Sequence, residues 1–449
     1  MVLFRRGRPW LAGSLALGTL TIAAAAFMLP RLGSHPPSAS GDRSPSPSGQ
    51  IGFLVPSPGK GSGTPNGSSE PTDPASGAPA RSFTSAGATP TTVPTTPATA
   101  VPPTAVPPPP AVTPPPKPYG TSQSTVYMHY YLWWSPQHWK DKLGSSYPYA
   151  TVPAPAPGAM SSAGCNPTVS YPGATIIDVP SEGLYDQNQA AALDTHIAAA
   201  VGARISGFLL NWQGTGAASQ APSSSGYNAR LELMVARVNA YNAAHGTAFR
   251  LALALDAYGN YSRSATAMIN DLNYFRSRYA GNAAFANKYG SQPMVMLMAS
   301  RRFAVSTIQA VSNAESSSVL LLGDETSSSW SRDAAYLDGT GYYWSSQDPW
   351  QNPQSGQQVA ALGNLVHSAG KAWFPSFTGG FNTQLIGGTS CVPRNGVQTL
   401  DAVWNLNVGS RPQGWFGISW NEFVENTYLE PSSLYGSTSL AEIARLIGG

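Results

Sequence analysis

Short apolar runs alternate with segments whose apolar residues recur at helical spacing between residues 126 and 447. The runs have the length of β-strands and are apolar at consecutive positions, as expected for strands that are buried on both faces. Such strands, alternating with amphipathic helices, are typical of a parallel sheet covered by helices. The predicted strands are 126–133, 205–212, 249–256, 293–299, 319–323, 337–344, 372–377 and 414–420.

The helical segments between these strands are 188–201, 229–244, 265–279, 357–369 and 440–447. Eight strands within residues 119–449 favour a closed barrel over an open doubly wound sheet. The first strand is not followed by a Gly-rich phosphate loop, which argues against a dinucleotide-binding fold. The predicted fold class is therefore α/β, a single (β/α)8 barrel of the TIM type.

The residues before the barrel predict export. Arg5, Arg6 and Arg8 precede an uncharged, largely apolar stretch over residues 9–30. A helix of ~20 residues crosses the ~30 Å hydrocarbon layer of a membrane, and the positive flank stays inside. We predict that residues 1–32 are a signal peptide or an uncleaved signal anchor, two alternatives that the sequence leaves open.

Residues 33–118 are dominated by Pro, Ser, Thr, Gly and Ala. This composition predicts a disordered, semi-rigid linker, because too few apolar side chains are present to offset the ordering entropy. We therefore expect the barrel, residues 119–449, outside the cell, either secreted or attached to the cell membrane through the N-terminal helix.

Composition excludes several classes of partner. Charged residues are 10% of the chain and the formal net charge is +3, against a usual charged fraction of ~25%. A basic stripe is missing, so nucleic acid is not expected to bind. A surface rich in neutral polar groups suits a protein that meets a neutral polymer outside the cell. Histidines and cysteines do not occur at metal-ligand spacing, so we predict neither metal nor cofactor, and we expect a monomer.

The loops after the strands carry side chains that suit carbohydrate. Active sites of (β/α)8 barrels are built on these loops, and aromatic rings, amides and carboxylates are the groups that contact sugar rings and hydroxyls. Some of the aromatic residues, such as Trp212, have the alternative role of packing the barrel ends. The predicted substrate-binding residues are Tyr131, Trp133, Trp134, Asn211, Trp212, Asp256, Tyr258, Tyr343, Trp344, Phe381, Asn382 and Asn421.

Glu422 and Glu425 follow the last strand in a setting of Trp, Phe, Val and Tyr. Carboxylates lose solvation free energy in apolar surroundings, and two carboxyl groups with different pKa values are what acid/base chemistry on a glycosidic bond requires. We predict that this pair is catalytic; the alternative is that one of the two pairs with an arginine or caps a helix. Asp324 and Glu325 are a rival pair, but their Ser/Thr-rich surroundings predict ordinary pKa values.

Two motifs resemble those of a known enzyme family. Residues 130–134, Tyr-Tyr-Leu-Trp-Trp, resemble the Tyr-x-Trp start of the glycoside hydrolase family 99 barrels. Residues 420–431, Trp-Asn-Glu-Phe-Val-Glu-Asn-Thr-Tyr-Leu-Glu-Pro, resemble their Asn-Glu-Trp-x-Glu-Gly-Thr-x-x-Glu segment. The Tyr-Leu-Glu-Pro tail is similar to related barrels that accompany bacterial polysaccharide genes. Weaker matches at 337–343 and 375–382 extend the resemblance over residues 126–431.

The resemblance implies a retaining, endo-acting hydrolase of α-linked, mannose-type glycans. It implies that Glu422 deprotonates the sugar 2-hydroxyl, which attacks its own anomeric carbon to form a 1,2-anhydro sugar. It also implies that Glu425 is the general acid toward the leaving oxygen and then the base toward water. The chain departs from the family at Asn426 (usually Gly), Phe423 (Trp) and Asn382 (often Asp), and these departures bear on sugar specificity more than on the class of enzyme.

Barrel topology predicts one disulfide. Cys165 lies in the long excursion after the first strand and Cys391 in the excursion after the seventh. The eighth strand separates those two strands, and both excursions leave the same face of the barrel, so a bond between the cysteines is feasible and suits an oxidising compartment. The alternative is two buried free thiols.

The predicted function is an exported, retaining, endo-acting glycoside hydrolase that acts on α-linked, mannan-like or capsular polysaccharide or its oligosaccharides. The alternative is a non-catalytic carbohydrate-binding barrel tethered to the cell surface. A transferase of polysaccharide assembly is less favoured, because a diphosphate-binding loop is not visible in the sequence.

Overall fold

The computed structural model describes residues 125–151, 155–159, 165–215, 226–257 and 261–448. In these ranges eight parallel strands form a closed barrel, in which each strand pairs with its neighbours in chain order and the last pairs with the first. The strands are β1 (Val126–Tyr131), β2 (Gly207–Trp212), β3 (Arg250–Leu255), β4 (Met294–Leu297), β5 (Leu320–Asp324), β6 (Gly339–Tyr342), β7 (Ala372–Thr378) and β8 (Trp415–Ile418). Each predicted run overlaps one of them, so the predicted (β/α)8 barrel is confirmed.

The predicted signal segment, 1–32, and linker, 33–118, lie outside the described residues. Across the described ranges, no helix is both long enough and apolar enough to cross a membrane. Export and the domain boundaries therefore stay predictions.

Helices connect the strands and cover the outside of the barrel. They are α1 (Pro136–Leu143), α2 (Ala190–Gly202), α3 (Tyr227–His245), α4 (Ala265–Tyr279), α5 (Val305–Glu315), α6 (Ser327–Asp333), α7 (Ser355–Ser368), α8 (Gln398–Val408) and α9 (Thr438–Gly448). All five predicted helical segments are found, whereas α1, α5, α6 and α8 had not been predicted. Helix α6 contains a single apolar residue, Trp330, so its sequence shows no helical spacing of apolar residues. The start of this helix is specified instead by a capping box on Thr326.

The inside of the barrel changes from apolar to polar toward the carboxyl ends of the strands. The lower interior is an apolar cluster that includes Tyr127, Leu209, Ala254, Met296, Leu322, Phe374 and Phe416. Residues two positions further along a strand point to the same face, and there β1, β2 and β5 carry His129, Asn211 and Asp324. The apolar cluster therefore forms a floor beneath a layer of polar side chains, at the end of the barrel where such folds build their sites.

A disulfide joins the two long excursions on either side of β8. Cys165 follows β1 and Cys391 follows β7, and their Cα atoms are 5.9 Å apart, within the reach of a disulfide. Two short antiparallel pairs lie beside it: Gly158–Ala159 with Thr168–Val169, and Phe381–Asn382 with Cys391–Val392. The bond is the one that the topology predicted from sequence.

Two open polar hollows lie at the opposite, amino-terminal end of the strands. Arg276, Gln292 and Ser318 line one of them, and Asp338 and Lys371 line the other. Neither hollow contains a predicted site residue, so neither is the predicted cleft.

Candidate active site

The two predicted catalytic glutamates lie on residues 421–431, the segment after β8 that we term the acidic loop. At its start, Asn421 bonds the backbone at the end of β1: Oδ1 accepts from the N–H of Tyr131 at 2.8 Å, and Nδ2 donates to its carbonyl at 3.0 Å. At its end, Glu430 accepts from the hydroxyl of Tyr185 at 2.9 Å. Because its amide is engaged on Tyr131, Asn421 positions the loop and does not make the predicted substrate contact.

Glu422 is buried, with only 3% of its surface exposed. Its Oε1 accepts from the N–H of Val424 at 2.7 Å and from the N–H of Glu425 at 3.3 Å. Burial, followed by the neighbouring Glu425 carboxylate, raises the pKa of Glu422 well above its usual value, and the backbone hydrogen bonds act in the opposite direction. The loop's own backbone thus holds Glu422 in one orientation.

Glu425 is partly exposed, and its backbone carbonyl accepts from the N–H of Asn382 at 2.8 Å. Burial, followed by the Asp256 carboxylate, raises the pKa of Glu425 to about 7. The ion pairs among the described residues involve other carboxylates, so neither Glu422 nor Glu425 is paired with an arginine or lysine there. A carboxyl group with a pKa near neutrality is suited to donate or accept a proton at neutral pH.

Tyr131 and Tyr343 lie beside the two glutamates. Their hydroxyl oxygens are 2.8 Å apart, in a hydrogen bond between β1 and the segment after β6. Burial is the main cause that raises the pKa of both phenols well above the usual value, and Glu422, Glu425 and Asp256 add to it. Both predicted residues therefore face the acidic groups as neutral hydroxyls.

Trp133 does not present an open ring face. Tyr131 stacks on one side at 4.5 Å between ring centroids and 22° between planes, and His138 stacks on Trp133 at 5.6 Å and 22°. Only 9% of Trp133 is exposed. In this position the Trp133 ring supports the ring of Tyr131, and its predicted contact with substrate stays a prediction.

Trp134 and Trp212 belong to the core, contrary to their predicted substrate contacts. The indole N–H of Trp134 donates to the carbonyl of Asn421 at 2.7 Å, and that of Trp212 donates to Oδ1 of Asn228 on α3 at 2.7 Å. Along β2 successive side chains point to opposite faces, so Asn211 points into the barrel and Trp212 points out toward the helices. Both indoles are fully buried.

The remaining predicted residues that the structure describes lie around the same end of the barrel. Asp256 follows β3, and partly exposed Trp344 follows β6. Phe381 and Asn382 form the short strand beside the disulfide, and buried Asn382 has no partner for its Nδ2 among the described residues. Tyr258 lies outside the described residues.

His129 is a polar interior residue that is not among the predicted site residues. Its Nδ1 lies 3.0 Å from Oδ1 of Asn211, so Nδ1 carries the proton and donates. Burial lowers the pKa of His129 to about 4, which leaves the ring neutral. Within the described ranges, His129 Nε2 and Asn211 Nδ2 have no partner. The signal was available, since His129 lies two residues before Tyr131 on the same face of β1.

The rival carboxylates have different surroundings. Asp324 is paired with Arg301 at 2.5 Å and accepts from the N–H of Tyr343 at 2.8 Å. Glu325 is buried and accepts from the hydroxyl of Ser300, and burial raises the pKa of Glu325 to about 7. The predicted ordinary pKa is therefore wrong for Glu325, because the serines near it are themselves buried.

One cluster beside the acidic loop has the ligand types of a metal site. The carboxylates of Glu182 and Glu430 and the imidazole of His196 lie within 4.8 Å of one another. His196 Nε2 is 2.5 Å from Glu182 and 3.3 Å from Glu430, and its Nδ1 is 2.7 Å from the hydroxyl of Tyr130. These are hydrogen-bond distances, so we describe the cluster as a network that holds the end of the acidic loop. Its members come from three separate segments, which spacing in the sequence does not reveal.

Two departures from the family motif are accommodated inside the acidic loop. Asn426, which replaces a glycine, has φ 58°, a left-handed conformation that Asn adopts most readily among residues other than Gly. Phe423, which replaces a tryptophan, stacks on Tyr428 with centroids 4.1 Å apart. The acidic loop therefore makes its left-handed turn at Asn426 without a glycine.

Comparison with solved structures supports the fold. No family model matches the chain, and no curated protein does. An endo-α-mannosidase of glycoside hydrolase family 99 from Bacteroides thetaiotaomicron is similar at 16% identity and a TM-score of 0.55, over 73% of this chain and 97% of that chain. A glycoside hydrolase-like protein is similar at 13% identity and a TM-score of 0.53, over 75% and 97% of the two chains. At these identities the likeness confirms the resemblance at the level of the fold.

Proposed function

We propose that the protein is an exported, retaining, endo-acting glycoside hydrolase that acts on α-linked polysaccharide of the mannan or capsular kind. One observation carries the proposal. Glu422 and Glu425 share one loop at the carboxyl end of the barrel, free of ion pairs within the described residues, in surroundings that raise the pKa of both. A structural carboxylate pair would be neutralised by arginine or lysine, whereas acid/base catalysis needs a proton that can be given and taken back.

We assign one proton to the pair at neutral pH, because two close carboxylates titrate as a unit. Burial raises the pKa of Glu422 well above its usual value, but we place the charge on this group, because its Oε1 accepts two backbone N–H bonds, which an ionised oxygen accepts best. The proton belongs on Glu425, which lacks such donors to its carboxylate among the described residues. This distribution leaves one base and one acid in the same site.

In the first step, the Glu422 carboxylate takes the proton of the sugar 2-hydroxyl, and that oxygen attacks the anomeric carbon. The bond from the anomeric carbon to the leaving oxygen breaks, and Glu425 donates its proton to that oxygen. In the second step, the Glu425 carboxylate takes a proton from water, whose oxygen attacks the anomeric carbon and opens the 1,2-anhydro ring. Glu422 returns its proton to the 2-oxygen, and two inversions give net retention.

Polar groups around the pair suit sugar hydroxyls. Within the described ranges, the amide Nδ2 atoms of Asn211 and Asn382 and the Nε2 of His129 are buried without partners, a state that costs about 1–3 kcal/mol for each group. Hydroxyl groups of a bound glycan are able to donate to His129 and accept from the two amides. We therefore assign Asn211, Asn382 and His129, with Tyr131 and Tyr343, to substrate binding.

The test uses the full-length protein, purified in detergent, on α-mannans and bacterial capsular glycans. Wild-type protein is expected to release oligosaccharides, and Glu425→Gln is expected to bind the same glycan with turnover at least about 100-fold lower. Glu232→Gln is a matched control, since that carboxylate is 64% exposed on α3. Wild-type protein that binds a glycan without cleaving it would favour the carbohydrate-binding barrel.

A further inference from the structure

Arg394 is a buried arginine that follows the disulfide in the excursion after β7. It is 2% exposed and lies three residues beyond Cys391. The ion pairs within the described residues do not include Arg394. A buried guanidinium is costly unless its N–H groups are engaged, so its contacts indicate what it does.

Those contacts are with the backbone of the acidic loop. Arg394 Nη2 donates to the carbonyl of Asn426 at 2.9 Å and to the carbonyl of Tyr428. The guanidinium also lies over the rings of Tyr428, at 4.3 Å, and Tyr435, at 4.8 Å. A planar, charged fork that packs against two aromatic rings has little freedom of movement.

The bonded carbonyls are close to Glu425 in the chain. Asn426 directly follows Glu425 and has the left-handed φ of 58°, so the chain turns immediately after Glu425. From the same excursion, the N–H of Asn382 donates to the carbonyl of Glu425 at 2.8 Å. One disulfide-linked excursion therefore contacts the carbonyls of Glu425, Asn426 and Tyr428, which belong to the backbone that directly follows the Glu425 side chain.

We propose that Arg394 is a positioning residue, which fixes the backbone around Glu425 and so holds the carboxyl group toward the reacting oxygen. The inference rests on the proposed function, because its kinetic test measures the cleavage of a glycan. It goes beyond that function, because a residue outside the acidic loop, three positions after Cys391, sets the geometry of the general acid.

The experiment compares Arg394→Met and Arg394→Lys with wild-type protein in the full-length chain. Arg411→Lys is the matched control, since Arg411 is exposed and lies before β8, at the other end of the strand. With Arg394→Met we expect kcat to fall at least tenfold while KM stays within threefold, because the substrate contacts remain and the acid is displaced. Arg394→Lys keeps the charge and a donor group but loses the planar fork, so we expect partial recovery.

The pH dependence separates positioning from loss of stability. Glu425 faces Glu422 on its own loop, Asp256 after β3, and the phenols Tyr131 and Tyr343. A displaced Glu425 reaches water more easily, so its pKa falls toward the ordinary value and the alkaline limb of kcat/KM moves at least half a unit to lower pH. A variant that is only less stable keeps the wild-type limb.

A non-catalytic readout distinguishes failure of this inference from failure of the proposed function. NMR titration of ¹³C-labelled glutamate carboxyls, with Glu425 assigned from Glu425→Gln, follows the same group without turnover. A lower Glu425 midpoint in Arg394→Met supports positioning even in a protein that cleaves no glycan. A midpoint, kcat and alkaline limb equal to those of Arg411→Lys would overturn it, and Arg394→Lys decides the matter if Arg394→Met does not fold.

Discussion

The hydroxyl oxygens of Tyr131 and Tyr343 lie 2.8 Å apart and join β1 to the segment after β6. These strands are not neighbours in the barrel, so the bond crosses its interior. Both phenols are close enough to Glu422 and Glu425 for the carboxylates to raise their pKa values. The bond therefore links the two sides of the candidate site beside its acidic pair.

Removing one hydroxyl tests the role of this bond in substrate binding. Tyr343→Phe leaves the Tyr131 hydroxyl without its partner and is expected to lower kcat/KM about threefold to tenfold, from a loss of about 1 kcal/mol. Steady-state kinetics on the cleaved glycan measures the effect. Tyr342→Phe, one residue earlier, is the control, and an equal loss in that variant would contradict a specific role for Tyr343.

The pH profile of kcat/KM reports the general acid of the free enzyme. Glu425 has to be protonated when it donates to the leaving oxygen, and its pKa is raised to about 7. Activity is therefore expected to fall as the pH rises through about 7. A substrate with an activated leaving group needs less protonation, so its profile is expected to be flatter on the alkaline side. The same steep limb with both substrates would argue against this role of Glu425.

Glu325 makes the stability of the fold depend on pH. Its pKa rises to about 7 on folding because it is buried, so the folded state holds a proton that the unfolded state has lost. The contribution of the Glu325 carboxyl group to the stability of the folded state is complete below the unfolded pKa of ~4.3. It is lost as the pH rises through about 7. Glu325→Gln is expected to raise the free energy of unfolding by about 1–3 kcal/mol more at pH 8 than at pH 5.

Urea denaturation at the two pH values measures this difference, with Glu232→Gln as the exposed control. A Glu325→Gln variant whose effect is the same at pH 5 and pH 8 would show that this carboxyl group does not titrate in the window.

The left-handed turn at Asn426 predicts which substitutions the acidic loop accepts. Asn426 has φ 58°, so Asn426→Gly is expected to keep the turn and leave stability within about 0.5 kcal/mol of wild type. Asn426→Ala is expected to cost about 1–2 kcal/mol, since a Cβ without a compensating polar group strains this conformation. Denaturation curves of the two variants measure the difference, and equal stabilities would contradict the strain.

Much of the fold was predictable from sequence, because continuous apolar strands and amphipathic helices leave a strong pattern. The acidic pair was also visible, since Glu422 and Glu425 are close in the chain and lie in apolar surroundings. The outward direction of Trp212 was not visible, because a strand buried on both faces shows no alternation that tells inside from outside. The contact of Arg394 with the acidic loop, and the network of His196 with Glu430, join residues that are distant in sequence and carry no local signal.

The configuration of the first sugar product is the measurement that tests the proposed chemistry most directly. Proton NMR during the first minutes of hydrolysis, before the anomers equilibrate, reports whether the new hemiacetal has the configuration of the cleaved bond. Internal attack by the 2-oxygen followed by water predicts the retained anomer, and a 2-deoxy substrate unit at the cleavage site is expected to resist hydrolysis. An inverted product, or rapid cleavage of the 2-deoxy substrate, would contradict the roles given to Glu422 and Glu425.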